Sequence, residues 1–166
     1  DVQGILGKKT STLLNLSKSF RCTNQIIAFS RKFIDKSVKQ ECFSRDGIQP
    51  KIVFSATQTE LDEQLKVFIK NMRKQNYKSI CILCKSLKDD SFDKDLSGTL
   101  ITPIYISKGL EFDAVLIYNV DDTKYKSVDD KRLLYIASTR ALHMLAVFYT
   151  GKPSRFLTDM EEAAHD

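Results

Sequence analysis

Residues 79–84, Ser-Ile-Cys-Ile-Leu-Cys, form an almost unbroken apolar run. Successive side chains of a strand point to opposite faces, so a strand that is apolar throughout must be covered on both sides. Further strand-length apolar runs occupy 13–16, 51–55, 100–106, 114–118 and 141–149, and amphipathic stretches of helix length lie between several of them. Thr23 is positioned to cap a helix running to about residue 36, with Ile26, Phe29 and Phe33 on one face beside Ile27 and Ile34. Thr57-Gln58-Thr59-Glu60 fits a capping box for a second helix that ends near Gln75 and buries Leu61, Leu65, Phe68, Ile69 and Met72. Residues 85–98 read as a polar loop with a short helix, 129–140 as a helix, and 153–160 as a terminal helix. Acidic residues open the 129–140 segment and Arg140 closes it, both favourable to the helix dipole. Helix-length crossovers between buried strands predict an α/β fold, a mainly parallel sheet covered on both faces.

A chain of 166 residues suits a single domain spanning 1–166. It begins at Asp1 rather than Met, which leads us to expect a piece of a longer protein. No apolar run approaches the ~20 residues of a membrane span, and no signal peptide is visible. The net charge of +5, with lysines scattered along the length, suits contact with nucleic acid phosphates and suits simple solubility equally. Cysteines stand at 22, 42, 81 and 84. The Cys81-Ile82-Leu83-Cys84 spacing resembles half of a zinc site, but it lies inside a strand and no second pair completes it. We read all four as buried or free thiols in a reducing cytoplasm.

Chemistry concentrates between residues 99 and 145. Ile106-Ser107-Lys108-Gly109-Leu110-Glu111-Phe112-Asp113 sets a polar, glycine-containing turn between two apolar runs, and Ser138-Thr139-Arg140 follows at a helix end. Ligands of α/β sheets sit where strands end, and a glycine turn lets backbone N–H groups and a carboxylate approach a phosphate or ribose. An ordinary connection between buried strands has the same pattern. Arg140 lies on the side of Leu133, Ile136 and Ala137 and should emerge where the helix leaves the sheet, as a functional group or as a C-terminal cap. Arg21 falls in a strand-to-helix turn, where a solvated basic residue is the ordinary alternative. Gly7-Lys8-Lys9-Thr10 fails as a P-loop, because Gly4 and Gly7 stand too close and no strand precedes them. Asp121-Asp122 imitates the carboxylate that ends a magnesium-binding strand, but without a P-loop it reads as an acidic surface turn. His143 reads as structural.

Ser107-Lys108-Gly109-Leu110-Glu111-Phe112, followed by Arg132-Leu133-Leu134-Tyr135-Ile136-Ala137-Ser138-Thr139-Arg140-Ala141, resembles motifs V and VI of the UvrD/Rep-type superfamily 1 DNA helicases. Residues 14–26, which contain Phe20-Arg21, resemble motif IV, and Gln3-Gly4-Ile5 resembles the tail of motif III. The resemblance implies a RecA-like α/β/α domain, the second of two motor domains that enclose ATP and Mg²⁺. The first, N-terminal RecA-like domain would carry the P-loop and the metal carboxylate. Arg21 and Arg140 would then be arginine fingers at the γ-phosphate, and Gly109, Glu111 and Lys108 would approach the nucleotide, Glu111 as a ribose hydroxyl acceptor. Ser107 would offer its hydroxyl to a phosphate, and Tyr105 would stack on a base of single-stranded DNA.

The chain departs from the family at Pro103 and Tyr105, where Thr and His are common, and has no room between Arg21 and Gly109 for the usual inserted subdomain. Both features resemble the helicase IV-like branch, some of whose members act on RNA polymerase. The function expected is ATP-driven translocation on single-stranded DNA. The other reading is a non-catalytic RecA-like module that docks a protein such as RNA polymerase.

Overall fold

The computed structural model describes residues 18–19, 22–34, 41–42, 45–88, 96 and 98–162. In chain order these form β1 (Lys18–Ser19), α1 (Asn24–Arg31), β2 (Glu41–Cys42), β3 (Lys51–Ser55), α2 (Gln58–Lys74), β4 (Ile80–Cys84), β5 (Leu100–Pro103) and a 3₁₀ helix (Ile104–Ser107). Then follow β6 (Phe112–Ile117), α3 (Val128–Ser138), β7 (Ala141–Thr150) and α4 (Arg155–Glu162). The main sheet has the order β3-β7-β6-β4-β5, and every pairing in it is parallel. β1 and β2 pair in parallel as a separate ribbon, which the sequence pattern did not suggest.

All five residues of β4 are buried, and its side chains divide between two cores as strand alternation requires. Cys81 and Leu83 join Val115, Ile117, Leu145 and Val147 under α1, α3 and α4. Ile80, Ile82 and Cys84 join Ala114, Leu116, Ala146 and Phe148 under α2, whose Leu61, Leu65, Ile69 and Met72 supply the cover. The expected covered parallel sheet is therefore present. Cys81 and Cys84 face opposite cores, so they cannot share a metal ion, and burial, with Cys84 nearby, pushes the Cys81 thiol up to about 12.

Local boundaries differ from the sequence reading in several places. Thr23 caps α1, accepting from the Ile26 N–H, but the helix stops at Arg31, with Phe33 still buried beyond its end. The run at 100–106 is a strand only to Pro103, after which the chain coils into the 3₁₀ helix. The reason lies in topology. β5 and β6 both run parallel to β4, so the chain must return across the sheet within residues 104–111, and continued extension would carry it away. Thr57 accepts from the Glu60 N–H at 3.2 Å, but Glu60 Oε2 reaches back to the Ala56 N–H at 2.7 Å, so the box is displaced by one residue. In α3 the buried residue is Leu134 rather than Leu133. The helix begins with a complete capping box that the sequence reading missed: Ser127 Oγ accepts from the Asp130 N–H, and Asp130 Oδ2 accepts from the Ser127 N–H. The strand expected at 13–16 and the Gly7-Lys8 segment lie outside the described residues, as does most of 85–98.

Asp130 also receives Lys85 Nζ at 2.6 Å, which ties the end of β4 to the start of α3. Burial alone would raise its pKa, but the Lys85 ammonium and the N–H groups of Ser127 and Lys126 outweigh it and hold the carboxyl at about 2. A depressed carboxyl contributes stability above its unfolded pKa, and that contribution is lost as pH falls through the folded value. Asp130→Asn is expected to cost about 2 kcal/mol at neutral pH. In urea unfolding at several pH values, the gap between variant and parent should close between pH about 4 and about 2.

Candidate functional site

The glycine turn is built by the short return from β5 to β6. Lys108 takes φ −59° and ψ 127°, Gly109 takes φ +86°, and the Leu110 N–H donates to Ser107 O at 3.0 Å. These are the angles of a type II β-turn, whose third position requires the left-handed region that glycine enters without strain. A Cβ on Gly109 would meet nothing within 4 Å. Glycine is needed here for conformation, and the backbone stays open to an approaching group. Lys108, Leu110 and Glu111 are exposed. Tyr105 and Ile106, on the preceding 3₁₀ helix, are 60% and 54% exposed. Ser107 differs from its expected role: it is fully buried, and its hydroxyl donates to Ile104 O at 2.7 Å. It supports the turn from beneath rather than presenting a hydroxyl to a phosphate.

Arg140 is brought directly to this turn. Its Nη1 donates to Leu110 O at 3.3 Å, its Nε to Ile136 O at 3.2 Å and its Nη2 to Thr139 Oγ1 at 3.3 Å. Its own carbonyl accepts from the Phe112 N–H at 3.0 Å, where β6 starts beside β7. One residue thus closes the carboxy end of α3 and bridges it to the turn, joining segments 30 positions apart. The amino end of α1 arrives at the same place, since Cys22 Sγ donates to Thr139 O at 3.6 Å. Arg21 itself lies outside the described residues.

A basic residue that the sequence reading passed over stands nearby. Arg45 Nη2 donates to Leu142 O at 2.8 Å and lies 3.5 Å from His143 Nδ1. Its loop is fastened to α1: the Asn24 N–H donates to Arg45 O, Asn24 Nδ2 to Asp46 Oδ1, and the Gly47 N–H to Gln25 Oε1. A Cβ on Gly47 would fall 2.4 Å from Thr23 Cγ2, so only glycine lets this loop lie against the cap of α1. The Arg45-Asp46-Gly47 sequence was the available signal, an Asp-Gly turn beside a basic residue.

The site lies on the opposite edge of the sheet from the one expected. The turn precedes β6 and Arg140 precedes β7, so both sit at the amino-terminal edge of parallel strands, whereas ligands of open α/β sheets usually bind at the carboxyl ends. Motif order cannot distinguish the two edges, because a connection touches one or the other according to strand direction. Asp113 fixes this edge. Its Oδ2 accepts from the N–H groups of Ser79 at 2.9 Å and Lys78 at 2.8 Å, and its own N–H donates to Ser79 Oγ at 2.8 Å. The Ser79 N–H bond leads in holding its carboxyl below the ordinary range.

At the other edge, Asp121 is buried rather than on the surface. Its Oδ1 accepts from Thr123 N–H, Thr123 Oγ1 and Lys124 N–H, which makes it the organiser of a turn. Among the described residues, no group of three or more His, Cys, Asp or Glu could hold a metal ion, and no helix is long and apolar enough to cross a membrane.

Residues 99–148, the stretch from the approach to β5 through most of β7, match the family model of the UvrD-like helicase C-terminal domain. Among solved structures, the C-terminal domain of a possible DNA helicase from Lactobacillus plantarum WCFS1 is similar in fold, with a TM-score of 0.70 at 24% identity over 84% of this chain and 92% of that one. No curated protein matches the chain.

The geometry of the turn makes a direct prediction. Gly109→Ala should lower the unfolding free energy by about 1 kcal/mol through backbone conformation alone, since space for the methyl group exists. Gly109→Asn, which enters the left-handed region more readily, should recover part of the loss. Urea unfolding of the two variants checks this, and equal stability of all three proteins would remove the conformational role.

Proposed function

We propose that this chain, whose residues 99–148 match the family model of the UvrD-like helicase C-terminal domain, is the second motor domain of an ATP-dependent translocase on single-stranded DNA. The observation that carries this reading is the meeting of Arg140 with the Gly109 turn at one sheet edge.

The Arg140 guanidinium donates to two main-chain carbonyls and a hydroxyl. A phosphate offers the guanidinium an opposite charge and two oxygens that its fork can engage at once in parallel N–H···O bonds. A triphosphate presented at this edge by a P-loop domain would compete with those carbonyls for Arg140. Its planar fork then stabilises charge spreading over the transferred phosphoryl oxygens, the role of an arginine finger. Arg21, next to the Cys22 that contacts Thr139, would supply the second finger. The open backbone at Gly109 leaves room for phosphate oxygens, Lys108 adds a flexible positive charge, and the exposed Glu111 carboxylate can accept from ribose hydroxyls. Mg²⁺, held by one or two carboxylates together with the phosphates, would be bound by the N-terminal RecA-like domain.

Hydrolysis would open and close the cleft between the two domains. The Tyr105 ring, six-tenths exposed on the element that leads into the turn, supplies a stacking surface for a base of the strand. The adjacent exposed Ile106 and Leu110 side chains favour a second reading, docking of a protein such as RNA polymerase. DNA-stimulated ATPase activity separates the two.

Joined to its P-loop domain, the Arg140→Lys protein should lose about 10³ to 10⁵ in DNA-stimulated turnover. It should melt only slightly lower, because a residue at a helix C-terminus contributes about 0.3–1 kcal/mol. Steady-state ATPase assays beside thermal melting decide it, and a variant that melts lower but turns over like the parent reduces Arg140 to a cap. The 166-residue chain alone should show no saturable, magnesium-dependent ATPase.

A further inference from the structure

The end of α2 builds a small pocket. Gln75 closes the helix, Asn76 takes φ +63°, the Asn76 N–H donates to Arg73 O at 3.0 Å and the Tyr77 N–H donates to Met72 O at 3.1 Å. These are the two bonds of a Schellman motif, which folds the residue after the left-handed one back against the last turn of the helix. Tyr77 accordingly packs on the core that holds Met72. Phe68 lies one turn before Met72 on the same face, its ring edge-on to that of Phe148 at 5.5 Å. Phe68, Met72, Tyr77 and Met144 of β7 line a cavity of about 170 Å³. Lys51, Asn71 and Gln75 complete its lining, and all three are exposed. The Lys51 Nζ lies 5.5 Å from the centre of the Phe68 ring. Lys51 opens β3 and Gln75 follows the last residue of α2, so the pocket lies at the same amino-terminal edge as Arg140, on the α2 face of the sheet rather than the α3 face.

We infer that this pocket takes one pyrimidine base of single-stranded DNA. Its size selects a single ring, since a cavity of about 150 Å³ is enough for benzene. Two aromatic rings and two polarizable thioethers give the faces of a splayed-out base the contact on which such bases are held. The rim supplies groups that a purely apolar occupant would not use. Asn71 and Gln75, one turn apart on α2, each offer an amide donor and an acceptor carbonyl to the edge of the base. The Lys51 ammonium supplies a positive charge for the adjoining phosphate. The choice of DNA rests on the motor-domain reading above, whereas the pocket shares no residue with the Gly109 turn or with Tyr105.

Methyl NMR of the 166-residue chain labelled at its methionine methyl groups reads occupancy directly, because Met72 and Met144 line the pocket and a bound ring shifts their signals. Oligothymidylate should shift both signals saturably. Anisotropy of fluorescein-labelled oligothymidylate then measures affinity. Asn71→Trp, which can lay an indole across the mouth, should weaken binding about fivefold or more, the loss of one stacked base. Asn71→Ala combined with Gln75→Ala should weaken it without unfolding the chain, since both positions are exposed. Thermal melting establishes that the variants are folded, and Asn71→Leu replaces Asn71→Trp if the latter unfolds. Unmoved methionine signals at saturating oligothymidylate, unchanged affinity in the variants, or equal or tighter saturation by oligodeoxyadenylate would overturn the inference. Saturation of those signals by N-acetylphenylalaninamide or by thymidine 5′-monophosphate at lower concentration than by oligothymidylate would overturn it too, in favour of a protein side chain or a free nucleotide. A chain that binds oligothymidylate without moving the methionine signals loses the pocket and keeps the motor-domain reading, which DNA-stimulated ATPase of the chain joined to its P-loop domain judges separately.

Discussion

Burial of β6 and β4 on both faces is the constraint from which the rest of this structure follows. Ala114, Val115, Leu116 and Ile117 are each fully buried, and they divide between two cores that require separate covers. α2 supplies one cover and α1, α3 and α4 the other. A parallel sheet covered in this way sends every connection from one edge to the opposite one. The amino-terminal edge therefore collects the turns that lead into strands, among them the Gly109 turn and Arg140. The carboxyl edge collects the starts of α2, α3 and α4, including the Ser127 capping box and the Lys85–Asp130 ion pair, while α1 begins at the amino-terminal edge.

That division places the most enclosed carboxylates at one edge and the more exposed polar groups at the other. At the carboxyl edge, Asp130 and Asp121 are nearly enclosed and spend their oxygens on backbone N–H groups, so their charge is consumed in holding turns and a helix start. At the amino-terminal edge Lys108, Leu110 and Glu111 are exposed, while Arg140 donates to the Leu110 and Ile136 carbonyls. Arg140 is the clearest case, since the same guanidinium serves as a helix cap and as a bridge to the turn. Capping is worth under about 1 kcal/mol, whereas stabilising a phosphoryl transition state is worth several. A residue can therefore hold the first role at rest and still be selected for the second.

The sheet was legible because burial on both faces writes unmistakable apolar runs, as in residues 79–84, and because α2 repeats its apolar positions at helical spacing. Boundaries were legible only where a local rule acts alone. Thr23 and Thr57 act as caps as expected, since capping depends on residues within one turn. β5 broke at Pro103 because its length is set by the distance back across β4, a quantity no window of neighbouring residues contains. Ser127-Val128-Asp129-Asp130 was a capping box in plain view, overlooked because Asp replaces the usual Glu.

The sequence by itself determined the covered α/β sheet, the glycine turn at 107–110 and the order in which the turn and Arg140 follow one another, since these rest on periodicity and on the few conformations glycine alone adopts. Only the tertiary structure decided that Ser107 faces inward, that Arg45 reaches Leu142 from 97 residues away, and that turn and guanidinium share the amino-terminal edge. Each of those depends on which strands lie side by side and in which direction they run, and strand neighbours are chosen by the packing of two whole cores rather than by residues adjacent in the chain.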